Sequence, residues 1–307
     1  MAAETAKTQY IDAANGVKFA YRFLGKPSET PLVLHCHFRS NMDYWDPLLL
    51  NALAAQRRVI IFDQAGVGRS SGVAASTFQG WADNVISLIE ALGIKKIDLF
   101  GFSMGGCAAQ MIALTAPTLI RKLILGGTAA SMPGENSNIS GIVWPREDPT
   151  PEEITMLATK TDPADTEEAL TFSFFPHTDF GRAAAKAYWK RVLERNVPEE
   201  PVMLRLLNEE ATKNQTASYA DFVTPNPRNS YDRLGELEMP VLVMNGDNDL
   251  LVMPSLSWEL LVRIPNAQLI IYPKAGHGFL YQYAELVAHN VNMFLDGAGE
   301  GAQVPKL

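Results

Sequence analysis

The sequence predicts an α/β fold: a mostly parallel central sheet with helices on both faces, interrupted by an inserted helical cap. Three observations carry this. Short β-type apolar runs alternate with helix-type segments over most of the chain, the order that builds a parallel sheet from crossover units. The strand signal stops between about residues 130 and 232, where helical patterns follow a stretch carrying Pro133, Pro145, Pro149 and Pro151. Finally, a chain of 307 residues, 47% of them hydrophobic, can bury one large core.

Taken in order, strands are expected at residues 17–23, 32–36, 59–62, 97–102, 122–125, 241–245 and 269–272. Between residues 76 and 93, Phe78, Trp81, Val85, Leu88, Ile89 and Leu92 recur at three- and four-residue spacing, and Gly93 is placed to end that helix. Its role is packing. The expected organisation is a core formed by residues 1–130 and 233–298, a cap over 131–232 and a flexible tail at 299–307. No internal repeat is visible.

Charge and cysteine usage narrow the function. A net charge of -8 without a basic run argues against a nucleic-acid surface and favours a small-molecule substrate. The two cysteines, Cys36 and Cys107, lie in apolar segments and are expected as buried free thiols in a reducing compartment. The N-terminal segment has no signal-like apolar region and no stretch reaches membrane-spanning length, so a soluble intracellular protein without a membrane partner is expected. Oligomeric state is not legible.

The segment Gly101-Phe102-Ser103-Met104-Gly105 fits G-x-S-x-G, with a strand expected before it and a helix after it. In that setting the glycines serve a sharp turn, where a Cβ would strike neighbouring backbone, and the turn presents Ser103 Oγ outward. The serine also stands at a helix N-terminus, whose unsatisfied N–H groups and positive dipole end favour a developing oxyanion.

A serine hydroxyl needs a base, and the base needs an orienting acid. Of five histidines, His277 lies in a glycine-flanked loop between the last strand and the last helix. His35 is expected in a strand, His177 in the cap and His289 in the final helix. The acid should leave the edge of a strand between serine and histidine, where residues 241–249 supply Asp247 and Asp249. Asp247 directly follows Gly246 and suits the turn itself, so Asp249, further out, is the favoured acid.

On these motifs the chain resembles the α/β-hydrolase superfamily of cofactor-free esterases, lactonases, perhydrolases and carbon–carbon bond hydrolases. The order Ser103, Asp249, His277 matches, and Asp63-Gln64-Ala65-Gly66-Val67-Gly68-Arg69-Ser70 resembles the D-x-x-G-x-G-x-S loop, with Asp63 expected to fix the loop. The acid position used by some relatives, after the preceding strand, reads Gly126-Gly127-Thr128-Ala129 and holds no carboxylate. The resemblance implies an oxyanion hole from the backbone N–H groups of Phe38 and Met104. Here the family's usual His-Gly is Cys36-His37, a departure that brings His37 beside the site.

The implied chemistry is acyl transfer on an ester or lactone of a small to medium apolar substrate, through an acyl-enzyme, with no metal or organic cofactor. Serine at the turn excludes the carboxylate nucleophile of epoxide hydrolases and haloalkane dehalogenases. Aromatic and Met residues expected in the cap, Trp144, Met156, Phe172, Phe174, Phe175 and Trp189, suggest an apolar ligand; Trp144, Phe174, Phe175 and Trp189 join His37 as substrate-binding candidates. A carbon–carbon hydrolase of a diketone-like substrate and a triad-retaining ligand receptor are the alternatives. Cytoplasmic location is expected; the terminal Pro305-Lys306-Leu307 resembles the Ser-Lys-Leu peroxisomal address with proline in place of the small residue.

Overall fold

A computed structural model of the chain describes residues 2–133, 163–204 and 209–297. Trp144, Met156 and the C-terminal Pro305-Lys306-Leu307 lie outside the described residues. The sheet is formed by β1 (Gln9–Asp12), β2 (Lys18–Leu24), β3 (Leu32–His35), β4 (Val59–Phe62), β5 (Ile97–Phe102), β6 (Ile120–Gly126), β7 (Val241–Gly246) and β8 (Ala267–Tyr272). Their spatial order is β1-β2-β4-β3-β5-β6-β7-β8. The β1–β2 and β2–β4 pairs are antiparallel and the rest parallel.

All seven expected strands are present. β1 is additional: it is a short antiparallel edge strand with almost no buried residue, so it carries no apolar run to announce it.

Side chains alternate across the sheet and so feed two cores. Leu32, Leu34, Phe100, Phe102, Leu242 and Met244 pack on one face with α1 (Pro47–Ala54). Val33, Leu99, Leu123, Leu125, Val241 and Val243 pack on the other with α2 (Phe78–Ala91) and α3 (Met104–Thr115). The period of two in strand geometry requires this division, and helices on both faces satisfy it. Helix α2 begins where Thr77 accepts a hydrogen bond from Gly80 N–H, and Gly93 beyond its end takes φ +69°.

Between β6 and β7 the chain makes a helical excursion whose described elements are α4 (Pro163–Phe174), α5 (Asp179–Val192) and α6 (Glu209–Phe222). The chain then returns through β7, α7 (Pro254–Arg263), β8, α8 (Phe279–Gln282) and α9 (Ala284–Leu295). The excursion is not loosely attached. Tyr188 and Trp189 of α5 join the first core, and Phe222 of α6 joins the second, packing edge-on to Phe78 at 4.9 Å.

Buried charge fastens it further. Arg191 of α5 grips Asp46 through two bonds of 2.8 and 2.6 Å. Asp43 receives Arg22 at 2.6 Å, Arg69 at 2.8 Å and the Met203 N–H at 2.8 Å, with Arg195 Nε 3.8 Å away. Burial alone would raise the Asp43 carboxyl; Arg22 and Arg69 outweigh it and hold it below the usual carboxylate range.

Both cysteines are free and buried, as the sequence implies. Among the described residues no helix is long and apolar enough to cross a membrane.

Candidate active site

The strand order brings the loops after β3 and β5 side by side at the carboxyl edge of the sheet, the edge where open α/β sheets bind ligands. Ser103 directly follows β5 and caps α3 with φ +57° and ψ -125°, a left-handed backbone that a residue with a Cβ seldom takes. Close packing holds it there. Its N–H donates to Gly126 C=O at 2.8 Å, and its own C=O accepts from Gly106 N–H at 2.8 Å. A Cβ on Gly105 would lie 2.2 Å from the His35 carbonyl oxygen, so only glycine lets α3 press against β3. Met104 is the first residue of α3, and its N–H has no partner within the helix.

His277 lies in the loop after β8, fully buried. Its Nδ1 is 2.7 Å from Asp249 Oδ2. The other carboxylate oxygen of Asp249 accepts the N–H groups of Leu251 and Val252 at 2.8 and 2.9 Å, which aims the acid from the loop after β7. A carboxylate accepts only, so Nδ1 carries a proton, and the tautomer of the neutral ring that this selects has its lone pair on Nε2. Nε2 is buried and makes no hydrogen bond. The ring is framed by Phe102 and Phe174, each 5.0 Å away. Gly276 is required because a Cβ there would come within 2.7 Å of the Phe174 carbonyl.

Asp247 braces the histidine loop rather than its own turn: its side chain accepts the Ala275 N–H at 3.1 Å. Asp63 likewise fixes a loop, accepting Met42 and Arg69 N–H groups at 2.7 Å each. Burial, against those two bonds, raises its carboxyl to about 6.

The loop after β3 carries His37 and Phe38. His37 Nδ1 donates to the Phe38 carbonyl at 2.9 Å, and its ring packs against Tyr44, Phe102 and Phe174. Burial, partly opposed by the Phe38 bond, lowers its pKa to about 3, so the imidazole stays neutral.

A cavity of about 280 Å³ opens beside Ser103 and Met104. Its walls include Cys107, Tyr219, Phe222, Leu251, Val252 and Leu256, and Glu259 is its one charged lining residue among those described. Of the aromatic candidates, Phe174 touches the His277 ring rather than this cavity. Phe175 and Trp189 do not line it either. They are buried beside Tyr188, and the Trp189 indole donates to Thr171 Oγ1 at 3.2 Å, which makes them packing between α4 and α5. Trp144 lies outside the described residues. The lining residues Leu251 and Val252 could have been found in the sequence, since they lie two and three residues after the acid. Tyr219 and Phe222 could not, because their helix has no motif that ties it to the site.

The alpha/beta hydrolase fold family matches residues 31–282. The chain belongs to that family. It is 32% identical to an alpha/beta hydrolase fold protein from Chitinophaga pinensis whose structure superposes with a TM-score of 0.82, covering 96% of this chain and 99% of the other. It is 29% identical to a poly(3-hydroxyalkanoate) depolymerase of Ectopseudomonas oleovorans, over 88% of this chain and 86% of that enzyme. It is 24% identical to a 2-hydroxy-6-oxononadienedioate/2-hydroxy-6-oxononatrienedioate hydrolase of Paraburkholderia phymatum, over 92% of this chain and 93% of that one. This α/β hydrolase is thus similar over most of its length to enzymes named for quite different substrates.

Proposed function

We propose that this α/β hydrolase is a serine hydrolase that cleaves an ester or lactone of a small to medium apolar substrate through an acyl-enzyme. The observation that carries this reading is the buried His277–Asp249 pair at 2.7 Å, on the same sheet edge as the strained Ser103 turn. In the proposed reaction Ser103 Oγ attacks the carbonyl carbon while His277 Nε2 takes its proton. Asp249 holds the imidazole in the required tautomer and stabilises its positive charge. The carbonyl oxygen, as it gains charge, accepts the N–H groups of Phe38 and Met104; one such donor is worth about 3 kcal/mol. His277 returns the proton to the departing alcohol, and water then repeats the sequence on the acyl-enzyme.

Residues 131–232 act as the cap in this reading, with Phe174 and His37 shaping the histidine side of the site and the cavity holding the apolar part of the substrate. A small neutral molecule in the cytoplasm is the expected partner.

Carbon–carbon bond cleavage is the second reading, favoured by the relative that hydrolyses a dioate. Against it stands the cavity wall. Its described residues include no cation to meet a carboxylate, and the one charged residue among them, Glu259, is already paired with Arg263 at 3.2 Å.

Wild type and Ser103→Ala, tested on aryl esters, lactones and vinylogous diketones, separate the readings. Ester or lactone turnover lost in the variant supports the proposal. Turnover confined to diketones moves the assignment to carbon–carbon cleavage, and ligand-induced thermal stabilisation without any turnover moves it to a receptor.

A further inference from the structure

We infer that Gln215, on the inserted helix α6, is a positioning residue for the oxyanion loop, coupling the insert to transition-state binding. The inference rests on the reading of Phe38 N–H as an oxyanion donor. Where the family has His-Gly this chain has Cys36-His37, so the loop must reach its shape without the freedom of glycine. Arg39 accordingly takes φ +59°, a left-handed backbone that persists only where surrounding contacts over-determine it.

Those contacts are specific. The peptide between His37 and Phe38 is the donor peptide, and its carbonyl accepts Ser40 Oγ at 2.6 Å and Ser40 N–H at 3.4 Å. In a planar trans peptide the N–H points opposite the C=O, so fixing one aims the other. The next peptide, between Phe38 and Arg39, is held at both edges. His37 Nδ1 donates to its carbonyl at 2.9 Å, and its N–H donates to Gln215 Oε1 at 2.8 Å. Of these holds only Gln215 comes from outside the loop. It is buried, with 1% of its surface exposed, and its helix also lines the substrate cavity through Tyr219 and Phe222. A substrate that shifts α6 therefore shifts the acceptor that sets the oxyanion loop.

The test compares wild type with Gln215→Met, similar in size but without the amide acceptor, and Gln215→Glu, which keeps an acceptor oxygen. On an aryl ester, Gln215→Met should lower kcat by up to about 10²-fold, since small misplacements at a reacting centre cost that much. KM should stay near the wild-type value, and a trifluoromethyl ketone analogue should bind more weakly by the factor lost in kcat/KM. Gln215→Glu should restore most of both. Amide exchange at Arg39 should quicken in Gln215→Met and not in Gln215→Glu. Wild-type kcat and analogue affinity in Gln215→Met would overturn the inference, as would losses that merely track a smaller folded fraction. If Ser103→Ala were as active as wild type, the ester reading itself would fail. Arg39 exchange then decides alone, and no change in Gln215→Met overturns the positioning role.

Discussion

Asp249 spends both carboxylate oxygens on defined partners: one lies 2.7 Å from His277 Nδ1, the other accepts the Leu251 and Val252 N–H groups. Asp247, two residues earlier, braces the Ala275 N–H instead. The two acids should therefore separate on mutation. Asp249→Asn is expected to remain folded and lose about 10⁴-fold in kcat, because the amide presents the wrong tautomer preference to His277. Asp247→Asn should keep catalysis and lose on the order of 1 kcal/mol of stability. Steady-state kinetics with thermal unfolding of both variants checks this, and the reverse pattern would exchange the roles.

His37 ties stability to pH. Its folded pKa of about 3 lies below the ordinary 6.5, so the unfolded chain binds the proton first and stability falls as pH drops below 6.5. Moving from pH 7 to pH 5 should cost about 2 kcal/mol through this one group. His35, lowered to about 4 by burial, acts in the same direction, whereas Asp63, raised to about 6, opposes both. The clean measurement is a difference: urea unfolding at the two pH values should show a smaller acid loss in His37→Gln than in wild type. Equal losses would contradict the neutral buried imidazole.

Asp43 gathers the Arg22 and Arg69 guanidinium groups, with Arg195 close by, and neither carboxylate oxygen is exposed. Asp43→Asn leaves buried positive charge without its counter-ion, a change that commonly costs about 3–5 kcal/mol. Urea midpoints should report that loss. A shift below about 1 kcal/mol, the value of an exposed pair, would show the cluster to be far wetter than its burial indicates.

Much of the site was legible because its motifs impose local geometry. G-x-S-x-G announces itself since Gly105 must let α3 meet the His35 carbonyl, and the loop after the last strand is marked by glycines that make room for Phe174. The seven expected strands were legible as apolar runs, which two covered faces demand of all but the partly exposed β8. What stayed hidden depends on contacts distant in sequence. Gln215 meets Arg39 across 176 residues, and Trp189, a plausible pocket aromatic by composition, instead packs beside Tyr188. Strand β1 was hidden by its exposure, because a solvated edge strand needs no apolar residues.

The central claim is that Ser103 is the acyl-accepting nucleophile, and covalent labelling tests it most directly. A fluorophosphonate probe reacted with wild type and with Ser103→Ala, followed by peptide mapping and an aryl-ester assay on the same samples, reads site and activity together. The account predicts one adduct, on Ser103, formed in step with loss of hydrolysis and absent from a folded, inactive Ser103→Ala. An adduct on another residue that abolishes hydrolysis, or undiminished hydrolysis by Ser103→Ala, would contradict it.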